Sequence, residues 1–287
     1  MNDNNKKVLA CIDGAALSGA VGDYAAWLAG RVEVPLKLLN TIDHHHEMAA
    51  KTDLSGNIGL NSREHLLEDM TTLEQQQSKA RLQQGKAILA TAKQRAIDAG
   101  IAEPLTCLQH GGLIETLVEI QDNIRVLVIG ARGKIHQDRS DQIGAKLEAM
   151  IRSLHLPVLV VYGEFKTPQN FMIAYDGSEG SEKALTMVVS SPLYKGLVCH
   201  LVCVGKKDAN TLLETAANKL KTAGGIEIIS ASLTGKAEQA LYDYQSQQSI
   251  DMMVMGAFSH SRLHDILVGS FTHKMLINSK KPLLLLR

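Results

Sequence analysis

Apolar and polar positions along the chain follow two alternating rhythms. Short, nearly continuous apolar runs occur at 7–12, 35–42, 104–109, 125–129 and 157–161, and again at 170–175, 197–204, 226–233, 251–255 and 282–286. Runs of that length, bounded by Gly, Pro or Asp and rich in Val, Ile and Leu, predict strands buried on both faces. Between the later runs, apolar positions recur at helical spacing over 179–190, 207–223, 236–247 and 270–279. This alternation predicts parallel sheet covered by helices on both faces, an α/β fold.

The rhythm runs through the chain twice. "KKVLACIDGAALS" (6–18) and "QNFMIAYDGSEGS" (169–181) are apolar strands closing in Asp-Gly, each with a serine four residues after the glycine. "IRVLVIGARG" (124–133) and "IDMMVMGAFS" (250–259) both end at Gly-Ala, and "HLPVLVVYG" (155–163) and "KKPLLLLR" (280–287) are Pro-led strands that close their halves. Three blocks in the same order predict a duplicated domain, 1–163 and 168–287, joined by the polar turn "GEFKTP". The strands 158–161 and 283–286 are too apolar to stand as open sheet edges. We therefore expect them to pair antiparallel, making a pseudo-dimer within one chain.

The halves differ in length at one place. From Asp13 to Gly130 is 117 positions, and from Asp176 to Gly256 only 80, a surplus of 37 after the second strand. The surplus opens as the loop-like "DHHHEMAAKTDLSGNIGLNS" and continues as a helix from about Arg63 to Ala99, giving the first half an arm over about 43–99. Leu66, Met70, Leu73, Gln77 and Ala80 fall on one face of that helix. Gly85 is where it would kink, and Gly100 is placed to cap it.

Composition narrows the classes. With 287 residues, two domains each have enough chain for a core of their own. Lys and Arg balance Asp and Glu at 30 each, so bulk charge points to neither a nucleic acid nor a membrane surface. The N-terminus lacks an apolar leader, and no apolar run reaches membrane-spanning length. Cys11, Cys107, Cys199 and Cys203 sit in strand-like runs without a C-x-x-C pair, as expected of buried, reduced thiols in a cytoplasmic protein.

The candidate chemistry lies where strands end. Gly256 closes a strand without a side chain, so backbone there is open to close approach. Ser259 offers a hydroxyl, and Gly269-Ser270 opens a helix whose free N–H groups favour an anion. In doubly wound sheets ligands bind at the carboxyl ends of strands, where the Asp176 turn also lies. One end of such a crevice suits a base and ribose, the other phosphates.

These residues resemble the nucleotide-binding pattern of the universal stress protein family, G-x2-G-x9-G-[ST] with an Asp closing strand one. The second half reads Gly256-x2-Ser259-x9-Gly269-Ser270 behind Asp176. The first half reads Gly130-x2-Gly133-x10-Gly144-Ala145 behind Asp13. The chain thus resembles a tandem universal stress protein over nearly its whole length. The resemblance implies two Rossmann-like domains, each a five-stranded parallel sheet in order 3-2-1-4-5. It also implies an adenine nucleotide (ATP, ADP or AMP), with or without Mg2+, as a regulatory or structural ligand. By resemblance, Asp176 and the backbone at Val204 would meet adenine, Gly256 the ribose, and Ser259, Gly269 and Ser270 the phosphates. The first-half counterparts are Asp13, Thr41, Gly130, Gly133 and Gly144, a degenerate second site because Ala145 lacks the hydroxyl. Members of the family divide into ATP binders and non-binders. A slow ATPase, and a nucleotide-free scaffold whose first half takes another ligand or partner, are therefore the alternatives. A further homodimer is compatible with either.

Other clusters carry less. His44, His45 and His46 are consecutive, and consecutive side chains rarely point at one ion, so a solvated loop is expected, with a metal held by these and His65 the alternative. His260 and His264 lie inside the phosphate loop. "GARGK" lacks the Walker A spacing, and its neighbours Arg132, Lys134, Arg139, Lys146 and Arg152 read as a solvated basic face.

Overall fold

The computed structural model describes residues 6–42, 60–131, 145–222, 224–256 and 270–286, with backbone alone at 60–74 and 145–146. The first half contributes β1 (Lys7–Cys11), α1 (Ser18–Val32), β2 (Leu36–Ile42), α2 (Leu60–Asp98), β3 (Leu105–His110), α3 (Leu113–Ile120), β4 (Ile124–Gly130), α4 (Ala145–Ser153) and β5 (Val158–Val161). The second contributes β6 (Asn170–Ala174), α5 (Glu179–Ser190), β7 (Val198–Val204), α6 (Ala209–Lys221), β8 (Glu227–Leu233), α7 (Ala237–Gln247), β9 (Met252–Gly256), α8 (Ser270–Asn278) and β10 (Leu283–Leu286).

All ten strands form one sheet, ordered β3-β2-β1-β4-β5-β10-β9-β6-β7-β8. Each half has the expected order 3-2-1-4-5. Pairing is parallel within each half. At the centre β10 meets β5 antiparallel, with Leu283 opposite Val160 and Leu285 opposite Val158. The central strands are apolar on both faces because helices cover both. The outermost strands, β3 and β8, carry exposed positions such as Leu105 and Ile229. One apolar layer lies under α1, α2, α5 and α6, the other under α3, α4, α7 and α8. Each layer draws residues from both halves, so the core is continuous across the β5–β10 seam.

Helix α2 has 39 residues, about 58 Å at 1.5 Å per residue, far more than the sheet it lies on. Among its residues with described side chains, 75–98, the buried positions are Gly85, Leu89, Ala92 and Ala96. Gln77 and Ala80 are exposed, and the side chains of Leu66, Met70 and Leu73 lie outside the described residues. The seam along Gly85–Ala96 packs on β2, β3 and α1, which stand beneath this part of the helix. Gly85 lies within a continuous helix. A Cβ there would be 2.7 Å from Leu108 Cδ1 and 2.9 Å from Asn40 Oδ1, so its bareness admits the sheet. Gly100, at φ +95, closes the helix as expected, and Ile101 N–H donates to Ala96 O at 3.0 Å.

The two halves are also tied outside the sheet. Arg31 of α1 donates to Leu193 O at 3.0 and 2.8 Å, and Tyr162 OH donates to Leu276 O at 2.8 Å. His273 of α8 contacts the Glu148 carboxylate of α4. All four cysteines are free. Cys199 and Cys203 are buried as expected, but Cys11 and Cys107 are only half-buried, since β1 ends and β3 forms an edge at those positions.

Candidate functional site

A cavity of about 410 Å3 opens at the carboxyl ends of β6, β7 and β9. That volume is in the range of small-ligand sites. Asp176, Ser178, Val204, Lys206, Gly256 and Ser270 stand around it, over an apolar floor that includes Val202, Leu241 and Met255.

The wall at the end of β6 is a hydrogen-bonded turn. Tyr175 N–H reaches Val202 O at 2.9 Å, the last tie to β7. The chain then turns through Gly177 at φ +76, a conformation that suits glycine. Asp176 Oδ1 accepts Ser178 N–H at 3.0 Å, and the Ser178 hydroxyl caps α5 by accepting Ser181 N–H at 3.3 Å. Partial burial opposes ionisation of Asp176. The hydrogen bonds from Ser178 and Ser181, with Lys206 nearby, outweigh it and hold the carboxyl below its ordinary range. The cavity therefore carries a fixed acceptor at this end.

Beneath the turn, Tyr175 OH donates to Glu182 Oε1 at 2.5 Å, and Lys219 Nζ meets Glu182 Oε2 at 2.8 Å. Lys219, then Tyr175, hold the Glu182 carboxyl below its ordinary range. Burial, then Glu182, push the Tyr175 phenol up. The triad joins β6, α5 and α6, so the Asp176 turn stands on a rigid base.

Strand β7 pairs with β6 only as far as Val202 but with β8 as far as Val204. Cys203 and Val204 thus run past the end of β6, and Val204 borders the cavity. Ser270 opens α8 and is exposed on the opposite side.

Gly256 borders the cavity too, but the expectation that its bareness serves a ligand needs correction. A Cβ on Gly256 would lie 2.5 Å from Gly180 O and 2.6 Å from Gly180 C. The first turn of α5 occupies the space a side chain would need. Gly180 is a site residue that the motif did not reveal. Its signal was the second glycine of "GSEGSE", which the first half lacks.

The first half repeats the turn. Asp13 Oδ1 accepts Ala15 N–H at 2.9 Å and the Ser18 hydroxyl at 2.8 Å, and Gly14 sits at φ +75. Thr41 stands where Val204 does, since β2 likewise runs past its last partner on β1. Gly130 ends β4 beside Val161. Two differences separate the copies. Leu17 stands at the position matching Gly180, and α1 starts at Ser18 without a side-chain cap, two residues later than α5 in matching positions. Ser259 and Gly269 of the second half, and Gly133 and Gly144 of the first, lie outside the described residues. So do His44–His46, His260, His264, Arg132, Lys134 and Arg139, and the side chains of His65 and Lys146. Among the described residues, no three His, Cys, Asp or Glu side chains converge as metal ligands. Among the described residues, no helix is long and apolar enough to cross a membrane.

A doubly wound sheet made of two five-stranded repeats, with an Asp-Gly turn and a Gly-ended fourth strand in each, defines a protein class. The chain matches the universal stress protein family over residues 4–162 and 204–287, and it belongs to that family. The match leaves out 163–203, where β6, the Asp176 turn and α5 lie. The chain is 34% identical over 287 residues to universal stress protein Slr1230 of Synechocystis sp., covering 98% of this chain and 100% of that one. Its fold is that of a universal stress protein from Archaeoglobus fulgidus, with a TM-score of 0.67 at 17% identity over 99% of this chain and 97% of the other. A functionally unknown protein, PA1789 from Pseudomonas aeruginosa, follows at TM-score 0.59 and 14% identity, covering 98% of this chain and 92% of that one.

Proposed function

We propose that this chain is a cytoplasmic stress-response protein whose second half binds an adenine nucleotide as a regulatory or structural ligand. The observation that carries the reading is the cavity at the ends of β6, β7 and β9. It brings Asp176, Val204, Gly256 and Ser270 to one place from four separate elements. The ionised Asp176 and the backbone of the β7 overhang suit the hydrogen-bonding edge of a base, and the apolar floor suits its faces. Phosphates would extend toward Ser270 at the start of α8, with Ser259 and Gly269 assigned to them by the motif and Lys206 a cation on the rim. The bound nucleotide supplies charge and a rigid filling for the cleft, and the protein's part is to bind and orient it. The first half, with Leu17 and Ala145 in place of Gly180 and Ser270, is the weaker binder.

Mass spectrometry of small molecules released from protein purified without added nucleotide tests this directly, followed by calorimetric titration with ATP. Recovery of an adenine nucleotide at about one per chain, or titration to that stoichiometry, is expected. Neither co-purification nor binding at millimolar ATP would leave the interaction scaffold as the better reading. Phosphate release during the titration would identify the slow ATPase.

A further inference from the structure

A second cavity, of about 340 Å3, lies away from the nucleotide cleft, between the two halves. Val32, Tyr194, Leu284 and Leu286 make its apolar wall, and Met187 and Ser190 of α5 flank it. Lys6, Arg125 and His155 stand at the starts of β1, β4 and β5 on its rim, with Asp122 beside them. Three basic-type side chains face one acid there. Arg125 is half-buried and has neither hydrogen-bond nor ion-pair partner among the described residues.

The duplicated fold contains the same place a second time, and there it is filled. In matching positions Met187 corresponds to Tyr24, Lys6 to Gln169 and Arg125 to Asp251. Asp251 Oδ2 accepts the main-chain N–H groups of Gln169 at 2.9 Å and Asn170 at 3.4 Å, holding the end of the linker against the sheet. The linker then lays Phe165 edge-on against Tyr24, with ring centroids 4.8 Å apart, and Phe165 packs on the core. At the first-half place both devices are changed. Residue 125 is a cation where residue 251 is an acceptor, and residues 2–5, matching 165–168, are Asn-Asp-Asn-Asn and carry no ring.

We infer that the cavity beside Arg125 is a binding site for a small aromatic anion: a ring seated as Phe165 is seated in the matching place, with a carboxylate or sulfonate meeting Arg125 and Lys6. The ring is argued from the fold's own filling of the duplicate. The charge is argued from the replacement of Asp251 by arginine and from the basic majority on the rim. Phosphate alone would leave the apolar wall bare, and a neutral hydrocarbon would leave Arg125 unpaired in a half-buried place.

The full-length protein can be tested with 8-anilinonaphthalene-1-sulfonate and 3-phenylpropionate. The sulfonate should bind at one site with enhanced fluorescence, 3-phenylpropionate should displace it, and saturating ATP should not. Arg125→Asp, which installs the second-half residue, and Ser190→Trp, which fills the cavity, should each weaken the site at least tenfold. Both variants should keep wild-type ATP titrations and cooperative unfolding. Displacement by the neutral 3-phenylpropanol as effectively as by the acid would overturn the anion assignment. Undiminished binding in both variants, or displacement by ATP, would overturn the site.

Discussion

Gly256 and Gly180 touch through their backbones: a Cβ on Gly256 would stand 2.5 Å from the Gly180 carbonyl oxygen. Strand β9 and the first turn of α5 therefore approach as closely as two bare residues allow. That contact positions the wall of the cavity on which Asp176 and Ser178 stand.

Gly256→Ala should therefore be destabilising. Alanine restricts the unfolded chain, which alone would stabilise by roughly 0.4–1 kcal/mol. Forcing a methyl group against rigid backbone costs about 1–3 kcal/mol, and the second effect is the larger. The urea midpoint should fall while the slope stays constant. A midpoint at or above wild type would show that α5 retreats freely from β9.

The seam at the middle of the sheet should be equally demanding. β10 pairs with β5 on one side and β9 on the other, and Leu283–Leu286 are all buried. Deleting 282–287 bares two apolar edges. Light scattering after gel filtration should show oligomers or aggregate. A well-folded monomer with an unchanged melting temperature would mean the ten-stranded sheet does not depend on this strand.

Much of this architecture was legible in the sequence because its signals are local. The inner strands are rich in Val, Ile, Leu or Met, and each β1-type turn is an Asp-Gly pair, so strand positions and their order followed from pattern and resemblance. Apart from the pairing of the two apolar closing strands, contacts between distant segments were not legible. Nothing around Gly256 announces Gly180, 76 positions earlier, and nothing in "GEFKTP" says that Phe165 seats on Tyr24. In the arm, Gln77 and Ala80 share the helical spacing of their apolar neighbours yet are exposed, because burial depends on where the sheet lies, and that is under Gly85–Ala96.

The two Asp-Gly turns should respond differently to the same change. Asp176→Asn keeps an acceptor for Ser178 N–H but removes the charge. A charged acceptor is roughly twice as strong as a neutral one, so the loss should be on the order of 1 kcal/mol, about fivefold in ATP affinity. Asp13→Asn should leave the isotherm unchanged. Equal effects, or a larger one at Asp13, would move the preferred site to the first half.

His200 should make the fold sensitive to mild acid. It lies in β7, 5% exposed, with Nδ1 3.0 Å from the Tyr244 hydroxyl, and burial holds its pKa below the ordinary 6.5. The unfolded chain takes up a proton near 6.5, whereas the folded chain does so only at lower pH. In that window the unfolded state binds more protons, so stability falls as pH falls, by at most about 1.4 kcal/mol per unit. Above the window the group contributes no slope, and below the folded pKa the slope disappears again. Urea midpoints at pH 7.5, 6.5 and 5.5 should therefore drop more steeply for the wild type than for His200→Gln, which cannot titrate. Parallel decline in the two proteins would assign the acid sensitivity to other groups and leave His200 a silent member of the β7–α7 interface.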